Sequence, residues 1–140
     1  MNRSIHLVPV FFAAVVLMTV TAFPAAAQQR SCPPACGIEV EVPDDPSLPP
    51  AAQPETLMTV AGSEIVFTTN ARIRVRFEGQ SPFVNPGGQP IMNFVVNRGN
   101  RPMQVRTDGA ACSAQSPCKY MVHDLEDPGR PPLDPYIIIQ

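Results

Sequence analysis

Cysteine, histidine and arginine are the residues whose types and spacing could do chemistry here. Cys32 and Cys36 stand four apart in Cys-Pro-Pro-Ala-Cys, and Cys112 and Cys118 flank a second turn-forming stretch. Two soft thiolates and one imidazole suit copper, and His123, the only histidine after His6, would complete a Cys32, Cys36, His123 set. Four cysteines in an oxidising compartment are satisfied more simply as two disulfides. Three pairings are open. The local one, Cys32 to Cys36 and Cys112 to Cys118, is expected because Pro33-Pro34 and residues 113–117 form turns inside short loops. Short loops give the smaller part of the ~2–4 kcal/mol that a bridge contributes.

Arg72, Arg74 and Arg76 alternate with Ile73, Val75 and Phe77, so three guanidinium groups project about 7 Å apart on one strand face. Such a stripe can bind phosphate, sulfate or an acidic polymer; it also keeps an exposed strand soluble. Arg98, Arg101 and Arg106 extend it if their hairpin pairs alongside, and Glu39, Glu41 or Glu64 neutralise it if they pair across strands. His123 lacks the nucleophile-elbow sequence that would support a hydrolytic triad, and is expected to be structural. Met58, Met92, Met103 and Met121 lie in apolar strand patterns and are expected to pack in the core. The acidic loop from Asp124 to Asp134 lacks the ligand ladder and sharp glycine turn of an EF-hand, so a solvated loop is expected rather than a Ca²⁺ site.

The elements that position these residues are strands. Gly37–Val42 alternates apolar and acidic side chains, the signature of a strand with one wet face. Pro43, Pro46, Pro49, Pro50 and Pro54 then exclude regular pairing and predict a surface connector. Further strands are expected at 56–60, 64–69, 72–77, 91–96, 102–106, 119–123 and 136–139, with a loop over 79–88 and a turn over 97–100. No segment has a convincing helical period. Seven or eight short strands predict an all-β, two-sheet Greek-key sandwich, cupredoxin- or immunoglobulin-like.

The stretch Val60–Asn70 followed by Ile73-Arg74-Val75-Arg76-Phe77 resembles the early strands of cupredoxins, the small exported β-sandwiches that include the blue-copper proteins. Lys119-Tyr120-Met121-Val122 and Tyr136-Ile137-Ile138-Ile139 resemble the family's last two strands, between which its copper-binding loop lies. The resemblance implies the fold without the metal chemistry. It places Ile73 where the first histidine ligand stands and Val122 where the cysteine stands, and residues 124–135 hold neither histidine nor methionine. A blue-copper centre needs two imidazoles, a thiolate and a weak axial thioether.

Residues 1–27 read as a signal peptide: a basic start, an apolar run from Leu7 to Val20, and Ala25-Ala26-Ala27 before the expected cleavage. The run is shorter than the ~20 residues that span a bilayer, so no stable membrane anchor is expected after cleavage. Residues 28–54 then form a cysteine-containing head, first strand and proline-rich connector, and residues 55–140 the sandwich body. The exported part carries nine basic against twelve acidic side chains, which disfavours nucleic acid as a partner. The expectation is a periplasmic or secreted non-catalytic module without cofactor, acting through binding or structure, with a protein or an acidic envelope polymer as its partner. The alternatives are a periplasmic copper carrier using Cys32 and Cys36, and an uncharacterised hydrolase or redox enzyme.

Overall fold

Runs of β-branched and aromatic residues broken by glycine, proline and asparagine become strands because each can bury one face and wet the other. The computed structural model describes residues 30–31, 35–108 and 111–140. Cys32 and the segment 1–27 read as a signal peptide lie outside the described residues. In chain order the strands are β1 (Arg30–Ser31), β2 (Ala35–Glu41), β3 (Ala51–Gln53), β4 (Thr56–Thr59) and β5 (Glu64–Thr69), followed by β6 (Ile73–Phe77), β7 (Asn93–Val96), β8 (Gly99–Gln104), β9 (Cys118–Asp124) and β10 (Tyr136–Ile139). Among the described residues there is no helix.

The strands form two mixed sheets, a six-stranded one in the order β1-β4-β10-β9-β6-β7 and a four-stranded one in the order β3-β2-β5-β8. The chain repeatedly leaves one sheet for the other, and such returns produce the parallel pairs β2–β5 and β4–β10. Both sheets turn apolar residues inward. Ile38, Ile65, Phe67, Ile73, Val75, Tyr120, Val122 and Ile137 are fully buried. Five rings from both sheets and the loop after β6 interlock at the centre, with Phe67 and Phe94 5.2 Å apart and Phe77 and Tyr120 5.5 Å apart. The first pair is edge-on and the second tilted, and such ring contacts add to the area term.

Two expectations about the backbone need correction. The proline-rich connector contains β3, which pairs antiparallel with β2. Ala51-Ala52-Gln53 is a proline-free window between Pro50 and Pro54, and it supplies N–H groups just where β2 offers an edge. The turn expected over 97–100 is shorter, because β8 already begins at Gly99, whose φ of 114° favours glycine. Pro102 is accepted within β8 because that strand lies at a sheet edge.

Loops are tied back by specific bonds. The Cys112–Cys118 disulfide closes the loop before β9, with Cα atoms 4.6 Å apart. The Ile139 N–H donates to the Cys112 carbonyl at 2.7 Å, so the bridged loop also holds the last strand. Asn70 brackets the end of β2: its side-chain oxygen accepts from Val42 N–H at 2.8 Å and its amide donates to Val42 carbonyl at 3.0 Å.

Candidate functional site

On β6 the register sets Arg74 opposite His123 and Arg76 opposite Met121 of β9. Across the other edge of β6, Arg74 faces Val95 and Arg76 faces Asn93 of β7. Inward parity belongs to Ile73, Val75 and Phe77, so the arginines stand on the outer face of the six-stranded sheet, exposed, with His123 half-buried beside them. Arg74, Arg76, His123, Asp124, Leu125, Pro128 and Arg130 line a depression of about 230 Å³ where this face meets the β9–β10 loop.

The other cations with described side chains are committed. Arg98 pairs with Glu126 at 2.9 Å, Arg106 pairs with Asp108, and Lys119 sits 3.2 Å from Asp134 and 3.6 Å from Glu78. The hydrogen bond and charge of Asp134 hold the Lys119 ammonium protonated beyond its usual range, with Glu78 adding to the effect. Arg101 donates to the Val95 carbonyl and lies over the Phe94 ring at 5.2 Å. Arg130 is paired with Asp124. Among the described residues, the Arg72, Arg74 and Arg76 guanidinium groups have neither an ion-pair partner nor a hydrogen-bond acceptor.

The floor of the depression is a buried ion pair. Asp124 continues the inward parity of Tyr120 and Val122, which brings a carboxylate into the sandwich directly opposite Ile73. Arg130 reaches in from the loop: Nε donates to Asp124 Oδ2 at 3.1 Å, and the two side chains are only 6% and 4% exposed. Asp124 Oδ1 accepts from Glu126 N–H at 2.8 Å, and Arg130 Nη1 donates to the Asp45 and Leu48 carbonyls at 2.7 and 2.8 Å. The pair therefore fastens the β9–β10 loop to the connector after β2. The connector's own turn is held by Asp45, whose carboxyl is kept below the usual range by the hydroxyl and N–H of Ser47.

The structure separates several residues that the sequence had grouped. Glu39, Glu41 and Glu64 lie on β2 and β5 in the four-stranded sheet and cannot neutralise an arginine stripe on the other sheet. Arg101 sits on β8, also in that sheet, and Arg98 and Arg106 are engaged elsewhere, so none extends the stripe. Cys36 is disulfide-bonded on β2, whereas His123 faces outward from β9 in the opposite sheet, so these two do not converge on one metal. Ile73 and Val122, placed by the resemblance at ligand positions, are fully buried apolar residues.

Of the methionines, Met103 is buried and Met92 packs against the core, but Met58 and Met121 take outward, half-buried positions on β4 and β9. Strand parity overrides their apolar character. The acidic loop is likewise not uniformly solvated, since Asp124 is buried. Counting parity forward from Tyr120 would have found it, because an inward carboxylate demands a partner. Its partner Arg130 had no such signal. The Tyr120 hydroxyl was also missed: it is buried with no hydrogen-bond partner, and desolvation pushes its pKa well above the ordinary phenol value.

No family model and no curated relative matches the chain. A solved structure described as a "Novel Purple Cupredoxin from Nitrosopumilus maritimus" is similar at 12% identity with a TM-score of 0.38, covering 73% of this chain and 98% of that one. A likeness at that level carries no inference about ligand or chemistry. The all-β sandwich stands on the strand pairing itself.

Proposed function

We propose that this chain is an exported, non-catalytic binding module on a cupredoxin-like scaffold that does not hold blue copper, and that its working surface is the outer face of the six-stranded sheet. The partner is an acidic envelope polymer. The observation that carries this reading is the division among cations: Arg72, Arg74 and Arg76 are exposed and unpaired, while the other cations with described side chains have acceptors. Unpaired arginines fixed on a rigid sheet supply a preset positive field without internal competitors. The scaffold reading is supported by adjacent β9 and β10 joined by an irregular loop, as the resemblance implied, and by apolar residues at the ligand positions. A disulfide at Cys112–Cys118 suits an oxidising compartment.

The test is retention on an immobilised acidic polymer at low salt. Arg74→Glu is expected to weaken retention about tenfold, and added salt to weaken the wild type in the same direction. Unchanged retention of Arg74→Glu would leave the stripe as a solubility device only.

A further inference from the structure

We propose that Arg74, Arg76 and His123 form a discrete subsite for a tetrahedral oxyanion, a phosphoryl or sulfate group carried on the acidic polymer. This rests on reading the arginine face as the working surface and specifies what that surface recognises. Arg74 and Arg76 leave β6 on the same side, about 7 Å apart at the backbone, and His123 approaches from β9 directly opposite Arg74. All three line one depression. The guanidinium groups are donors only, and an imidazole offers at least one N–H even when neutral.

The carboxylate in the same lining does not oppose an anion. Asp124 Oδ2 is taken by Arg130 and Oδ1 by the Glu126 N–H. The buried pair therefore leaves the local balance to Arg74 and Arg76. Leu125 and Pro128 contribute apolar wall, which thins the water around a bound anion and strengthens its charge-assisted bonds.

Geometry favours a tetrahedral group over a carboxylate. One guanidinium satisfies a planar carboxylate through two parallel bonds. A phosphoryl or sulfate group presents oxygens in several directions, and donors arriving from two strands suit it. Arg72 lies just before β6 and does not line the depression. It contributes field without contact and serves as an internal control.

The experiment measures binding of polyphosphate, dextran sulfate and polyglutamate, matched in charge concentration, to the oxidised exported chain. Polyphosphate or dextran sulfate is expected to bind about tenfold tighter than polyglutamate, and whichever binds tighter identifies the source of the oxyanion. Arg74→Gln and Arg76→Gln should each cost about tenfold on that polymer, against about two- to threefold for Arg72→Gln. His123→Gln should weaken the tetrahedral polymer about threefold and leave polyglutamate unchanged, which a charge-only surface would not do. Equal affinity for all three polymers, with equal losses at positions 72, 74 and 76, overturns the subsite while leaving the arginine face intact. Absence of binding to every polymer overturns both.

Discussion

The two faces of the β6–β9 pair are made from the same ten residues of backbone pairing and have opposite duties. Inward, Ile73, Val75 and Phe77 meet Tyr120, Val122 and Asp124, all buried. Outward, Arg74 and Arg76 meet His123 and Met121, and the two guanidinium groups make no polar contact within the described protein. The inner face is over-determined, since all six side chains are buried and Tyr120 meets Phe67 of the other sheet edge-on. The outer face is free of structural work, and that freedom leaves its charges available to a partner.

The inner side contains the group most expensive to disturb. Arg130→Ala would leave Asp124 buried without its counter-charge and also remove the bonds to the Asp45 and Leu48 carbonyls. A loss of about 3–5 kcal/mol in denaturant unfolding is expected. The double replacement Asp124→Leu with Arg130→Met should recover much of it, because a paired apolar substitution removes both desolvation costs. If Arg130→Ala unfolds like the wild type, the pair is not the anchor of the loop.

A smaller effect of opposite sign is expected at Tyr120, the one buried polar side-chain atom without a partner among the described residues. Tyr120→Phe should stabilise by about 1 kcal/mol, since the ring remains and an unsatisfied hydroxyl is removed. The pH dependence follows from the raised pKa. The unfolded phenol ionises near its ordinary value of 10.0 while the buried one stays protonated. The contribution of Tyr120 is therefore intact below pH 10 and declines as pH rises further, by about 1.4 kcal/mol per unit. Equilibrium unfolding between pH 9 and pH 11 should show a shallower alkaline decline in Tyr120→Phe than in the wild type. Equal slopes would mean that Tyr120 ionises as readily in the folded state as in the unfolded one, so that water reaches the hydroxyl.

The smallest expected effect is on the outer face. Replacing Arg72, Arg74 and Arg76 together by glutamine should move stability by no more than about 0.5 kcal/mol, in thermal or urea unfolding. A large destabilisation would show that the stripe is part of the fold and erase the contrast between the two faces.

Much of this was legible before any coordinates. The strand spanning 64–69 emerges with those bounds, and β6, β9 and β10 emerge within about a residue of expectation, because period-2 alternation is local information. The arginine stripe follows from the same rule. The Cys112–Cys118 bridge was legible from its turn-forming loop. By contrast, β3 was hidden among prolines because its only reason to exist is the edge of β2, whose paired residues lie ten to fourteen positions away.

What the sequence determined by itself, then, is the alternation that makes strands and sorts their side chains into two sets, while the cysteine spacing favoured a local pairing without fixing it. Only the tertiary structure decided which set meets what. It sent β2, β5 and β8 to one sheet and β6, β9 and β10 to the other, so the acids of one face cannot quench the arginines of the other. It also brought Arg130 onto Asp124 and the connector. The physical reason is that strand periodicity is set by neighbours along the chain, whereas charge pairing depends on short distances between residues that the chain's crossings alone bring together.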